Sequence, residues 1–349
     1  HPSLASVHRL AGLGQARIAP AIATPDRARS HFEAQDVLES GSSAVYSASS
    51  GWLNRALGAL APARRIPALS VGTTAPLILR GPVQAASWAP GGQAERDTRL
   101  PAILQDLYAG DPLLGPALAS GLATEAMAAN AQQGMAPVAA GAMNPSPDAM
   151  SAAAPGAMAP TDAAMNAGGE AYRPILRQGL PQARRLGQTL AGFMTQAGGP
   201  QVAAVSLDGF DTHANQGAAQ GQLSLRLAYL DALLDGAAGG LGAAWSNTVV
   251  LVVTEFGRTA RMNGTRGTDH GTASTALLLG GALRPGGIVG DWPGLADAQL
   301  FEGRDTRPTL DMRSLFKGVL QDHLGVDRRA LDTVVFPDSA AISPQAGLV

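Results

Sequence analysis

The chain has 349 residues, of which 46% are hydrophobic and only 15% charged, with a net charge of −2. That is enough apolar material for a sizeable core, and the charge balance provides no general attraction to nucleic acid or anionic membrane. The absence of cysteine excludes disulfides, thiolate zinc sites and cysteine nucleophiles. No run of about 18 apolar residues is present, so no transmembrane segment is expected.

The first third reads as mixed α/β. Residues 18–22 form a short apolar run broken by Pro20. Ser30 and Glu33 have the capping-box spacing and open a helix through Glu39, which Gly41 should stop. A second helix carries Trp52, Leu53, Leu57 and Leu60 on one face. Residues 66–71 and 77–79 look like strands separated by Gly72-Thr73-Thr74.

From Gly110 to Ala171 the composition shifts to Ala, Gly, Pro and Met. Met127, Met135, Met143, Met150, Met158 and Met165 recur every seven or eight residues. A Met stripe can form a metal or partner surface. Because Pro and Gly interrupt any helix that could align it, the segment at about 128–168 reads as a low-complexity insertion, helical before Gln133. The rest of residues 1–349 is expected to form a single α/β domain.

Order returns near Tyr172, with a helix expected over 175–197 and a buried strand over 202–207. Leu223, Leu227, Leu230 and Leu234 mark an amphipathic helix. A β-branched strand follows at 248–253, a further strand at 276–279, and a helix over 310–324 closed by Gly325. Apolar strands alternating with helices predict a mainly parallel sheet flanked by helices.

Two clusters directly follow apolar strands, where ligands bind in open α/β sheets. Asp208, Asp211 and His213 form the first. Three potential ligands within six residues, on a turn eased by Gly209, suit a zinc-type or manganese-type ion. The same residues would also serve as turn caps. Glu255 opens the second cluster, and Asp269-His270 follows a Gly/Asn/Thr-rich loop. Adjacent Asp and His side chains can serve two neighbouring ions, or one ion and the groups behind its ligands. Arg258 and Arg261 lie between, able to neutralise the carboxylates or to clamp an oxyanion. Together the clusters could hold two divalent metal ions about 4 Å apart. His8 and His323 lack acidic companions and read as ordinary histidines.

Four segments occur in order: Ser30-His31-Phe32-Glu33-Ala34-Gln35-Asp36, Gly209-Phe210-Asp211-Thr212-His213, Thr254-Glu255-Phe256-Gly257-Arg258-Thr259 and Gly267-Thr268-Asp269-His270-Gly271. With Gly290-Asp291-Trp292-Pro293-Gly294-Leu295 and Asp311-Met312-Arg313, they resemble the family called domain of unknown function 1501. The resemblance spans nearly the whole chain except the Met-rich insertion. It implies an alkaline phosphatase-like fold, export by the twin-arginine route and a periplasmic or secreted location. It further implies Asp211 and His213 as ligands of one metal, and Glu255, Asp269 and His270 as ligands of others. Ser30 matches the nucleophile position, and Arg258 would help hold the oxyanion. Members usually begin with a strand ending in a Gly-Gly-x-Asp-Gly-like segment. Nothing in residues 1–29 matches it, so the first strand and one ligand are expected to be missing. The function implied is metal-dependent hydrolysis of small-molecule or polymer phosphate or sulfate esters. The alternative is a non-catalytic exported binding or assembly protein on the same fold.

Overall fold

A computed structural model describes residues 1–72, 75–90, 100–133 and 162–349. Its helices are α1 (Ala5–Gly12), α2 (His31–Ser40), α3 (Trp52–Leu60), α4 (Leu100–Tyr108), α5 (Leu114–Gln132), α6 (Asp162–Thr195), α7 (Gln222–Leu241) and α8 (Met312–Val319). The strands are β1 (Ala16–Ala23), β2 (Ala68–Val71), β3 (Ala86–Trp88), β4 (Val202–Val205), β5 (Val250–Val252), β6 (Ser274–Leu279) and β7 (Leu310–Asp311). Among these residues no helix is long and apolar enough to cross a membrane.

The strands form two sheets. One is wholly parallel, in the order β3-β2-β4. The other, β5-β6-β1-β7, is mixed: β6 runs antiparallel to both β5 and β1, and β7 runs parallel to β1. The expectation of a mainly parallel arrangement therefore holds for the first sheet and is corrected for the second. A parallel pair requires a covering crossover, usually helical. No helix links β5 to β6, because the intervening segment is the site loop, so β6 returns antiparallel.

Residues 77–79, expected as a strand, form a 3₁₀ turn. Two buried side chains hold it there: Asn54 Nδ2 donates to the Leu79 carbonyl at 2.7 Å, and Glu39 Oε2 accepts from Ile78 N at 3.0 Å. The C-terminal helix is likewise shorter than expected. Residues 310–311 pair with β1 first, α8 follows, and a π turn over 320–324 ends on left-handed Gly325. The helix expected before Gln133 is α5, and its Ala128 is buried against Phe193 and Trp88. The remainder of the Met-rich insertion up to residue 161 lies outside the described residues.

The largest core lies between α3, α8 and the C-terminal segment. Trp52 stacks on Phe316 with ring centroids 4.8 Å apart, and Phe336 closes on Trp52 at 5.5 Å. A second core packs α6 and α7 on the parallel sheet. A third, with Leu10, Leu230, Leu234 and Leu279, seats α1 on α7 and the mixed sheet. β1 is an inner strand between β6 and β7, whereas β4 and β5 each pair on one side only. Every residue of those two strands is half-buried. Both lead directly into the loops that carry the site.

Candidate metal centre

Three segments converge on one patch. The first is the entry to α2, where Ser30 is extended and His31 is the first helical residue. Gly41 ends the helix in the left-handed conformation, and buried Ala34 and Val37 fix its inner face. The second is the loop after β4, carrying Asp211 and His213. The third is the long connection from β5 to β6, carrying Glu255, Arg258, Asp269 and His270.

Backbone pairing locks the two loops together. Bridges join Arg258 to His270 and Ala214 to Arg266. Thr268 N donates to the Thr212 carbonyl at 3.2 Å, and Asn263 Nδ2 donates to the His213 carbonyl at 2.9 Å. Two glycines make this approach possible. A Cβ at Gly267 would lie 2.1 Å from the His213 carbonyl carbon, and one at Gly271 would lie 2.5 Å from that of Arg258. Any side chain at these positions would force the loops apart.

Asp211 is the hub. Its Oδ1 lies 2.9 Å from His213 Nε2 and 3.1 Å from His270 Nε2, and its Oδ2 lies 3.2 Å from His31 Nε2. Arg258 Nη1 also donates to Oδ1. One ligand atom each from His31, Asp211 and His270 lies within 4.8 Å of the others, close enough to share an ion. Each imidazole is braced from behind. Glu255 Oε1 is 2.7 Å from His31 Nδ1, the Arg29 carbonyl is 2.8 Å from His270 Nδ1, and Asp269 Oδ1 is 3.1 Å from His213 Nδ1. Such outer partners orient imidazole ligands and raise their basicity. The rings of His31 and His270 meet edge to face at 4.5 Å, and Phe256 packs against both.

The electrostatics follow from this packing. Partial burial works against a charged His31, but hydrogen bonds to Glu255 and Asp211 prevail and raise its pKa. Burial likewise opposes ionisation of Asp211, and Arg258 and His31 overcome it, lowering that pKa. Asn263 and then His213 hold Asp269 ionised below its ordinary range.

The residues singled out from the sequence divide by position. Asp211, His213, Glu255, Asp269 and His270 are brought together, with Glu255 and Asp269 behind imidazoles. Asp208 lies instead in the wall of a separate cavity of about 880 Å³, with Phe32, Asp36, Arg80, Leu207 and Tyr229. Ser30 sits between Arg29 and His31, which both touch the cluster. Its hydroxyl makes no capping bond, so the expected capping box is absent. Arg258 points at Asp211 and is fixed by Thr268, whose hydroxyl accepts from Nε at 3.1 Å. His31, which the sequence shows only within a motif, offers one of the three atoms that could share an ion. Its position one residue past a helix cap was the available signal.

The fold and this patch define a mixed α/β protein with a carboxylate-centred imidazole cluster at strand ends. The chain belongs to the family described as protein of unknown function (DUF1501), whose model matches residues 1–335. No curated protein and no solved structure matches the chain significantly.

Proposed function

We propose that the protein is a metal-dependent hydrolase of phosphate or sulfate esters, exported to the periplasm or beyond, on an alkaline phosphatase-like fold. The observation that carries this reading is the convergence of His31, Asp211 and His270 within reach of one ion. Two imidazoles and a carboxylate fit a zinc-type or manganese-type ion. His213, 3.0 Å from His270, can extend the set.

When bound, such an ion supplies Lewis acidity and lowers the pKa of a hydroxyl or water beside it. The chain's own groups do the rest. Glu255 orients His31, and Asp269 orients His213. Arg258, already at the rim beside Asp211, offers a fixed cation to an ester oxyanion. Ser30, at the N-terminus of α2 and making no capping bond, would be the attacking hydroxyl in this reading.

The test is elemental analysis of purified protein together with turnover of p-nitrophenyl phosphate and sulfate under added zinc or manganese. Bound metal and turnover lost in Asp211→Ala support the reading. Stoichiometric metal without turnover points to a binding protein, and absence of metal uptake removes the reading altogether.

A further inference from the structure

Asp305 belongs to neither cluster singled out from the sequence, yet it is fully buried. A carboxylate withdrawn from water is unfavourable unless cations and donors surround it. Arg29 Nη2 lies 2.8 Å from its Oδ2, Thr272 Oγ1 donates to Oδ2 at 3.0 Å, and Arg304 Nη1 lies 3.2 Å from Oδ1. Backbone bridges to Phe301 and Thr259 fix the residue itself.

Arg29 is held in an unusual state. Its φ is 58°, a left-handed conformation that residues with side chains rarely adopt. Its guanidinium is anchored to Asp305, to Glu302 at 2.6 Å and to Thr272 Oγ1 at 3.3 Å. With the side chain tied down and the backbone turned, the Arg29 carbonyl meets His270 Nδ1 at 2.8 Å. A carbonyl only accepts, so Nδ1 carries a proton, and in the neutral ring Nε2 then holds the lone pair. That nitrogen faces Asp211. Thr272 lies two residues beyond His270, so the same carboxylate grips the chain that carries the imidazole and the chain that orients it. His213 has no comparable device, since its Nδ1 faces Asp269, whose side chain is 48% exposed.

We propose that Arg29, gripped by buried Asp305, is a positioning residue that holds His270 in its Nδ1–H tautomer and reserves Nε2 for a cation. The use of that nitrogen rests on the metal reading above. The tautomer does not, because it belongs to the metal-free protein.

The experiment is imidazole ¹⁵N–¹H correlation spectroscopy on the full metal-free chain, with the His270 signals assigned by their loss in His270→Gln. At a pH where the ring is neutral, wild type should show protonated Nδ1 and a lone-pair Nε2. Arg29→Ala and Asp305→Asn should move His270 toward a tautomer mixture while the signals of His8 and His323 stay in place. Arg29→Gly, which tolerates the left-handed backbone, should fall between. In calorimetric titrations with zinc alone, Arg29→Ala and Asp305→Asn should bind about 10–100-fold more weakly than wild type. If one variant fails to fold, the other carries the comparison, and Arg29→Lys, which keeps a cation, should retain the wild-type spectrum. A neutral His270 protonated on Nε2 in wild type, or unchanged in both Arg29→Ala and Asp305→Asn, overturns the proposal. The wild-type tautomer without zinc uptake upholds it and removes the metal reading instead.

Discussion

His213 Nε2 and His270 Nε2 lie 3.0 Å apart, a distance at which two protonated nitrogens cannot coexist. Nδ1 of His270 faces a carbonyl and Nδ1 of His213 faces the Asp269 carboxylate, so the two Nε2 atoms share one proton at most. Asp211 Oδ1 is within 3.1 Å of both. In the metal-free protein this is a compact hydrogen-bonded knot, and in the reading above a cation would take the place of its proton.

Metal binding should stabilise the fold by mass action. A ligand at about 100 times its Kd adds about 2.7 kcal/mol. Zinc or manganese is therefore expected to raise Tm in wild type and to leave it unchanged in Asp211→Ala and His270→Ala. Differential scanning fluorimetry with and without metal checks this, and equal shifts in all three would place the ion elsewhere.

Glu255 and Asp211 should behave differently on substitution. Glu255 touches His31 from behind, so Glu255→Gln is expected to weaken metal affinity by about 10–100-fold without abolishing it. Loss of the hub in Asp211→Asn removes a ligand and strands Arg258, and binding should disappear. Isothermal titration separates the two cases.

If ester hydrolysis is the activity, Arg258→Ala should lower kcat by about 10²–10³-fold, the usual effect of removing an oxyanion donor. Arg258→Lys should recover only part of it, since a lysine cannot hold Asp211 and Thr268 with one planar fork. A parallel loss in Ser30→Ala, with metal content unchanged, would support nucleophilic attack. Full activity in Ser30→Ala would pass that role to water.

Acid sensitivity should come from the C-terminal lock. Burial opposes ionisation of Asp332, but Lys317 at 2.5 Å and Arg328 at 2.6 Å overcome it and lower its pKa. The stability that this adds is complete above the ordinary aspartate value of 3.8 and is lost as pH falls through the lower folded value. Asp332→Asn is expected to lower Tm at neutral pH and to flatten the acid limb. An unchanged slope below that pH would assign the limb to other carboxylates.

Two phenylalanines provide a packing control. Phe336 is fully buried against Trp52, and Phe336→Ala should cost about 3–5 kcal/mol. Phe32 is 81% exposed beside the site, and Phe32→Ala should stay within about 0.5 kcal/mol. Urea unfolding measures both. A kinetic effect of Phe32→Ala at unchanged stability would assign its ring to substrate contact.

The sequence by itself determined the two motif clusters, their family and the apolar strands that precede them. Those features depend on neighbours along the chain: a β-branched run, a glycine turn, an Asp-His pair. It did not determine that β6 runs antiparallel to β5, because strand direction depends on whether a connection covers the sheet or returns along it. Nor could it separate Asp208 from Asp211, three residues apart yet lining a cavity and the cluster respectively. His31 meets Glu255 across 224 positions, and Arg29 meets Asp305 across a still longer stretch of chain. Tertiary structure alone decided which imidazole nitrogen faces the cluster and which carboxylate stands behind it, because such contacts are set by packing between elements and leave no periodic trace in the order of residues.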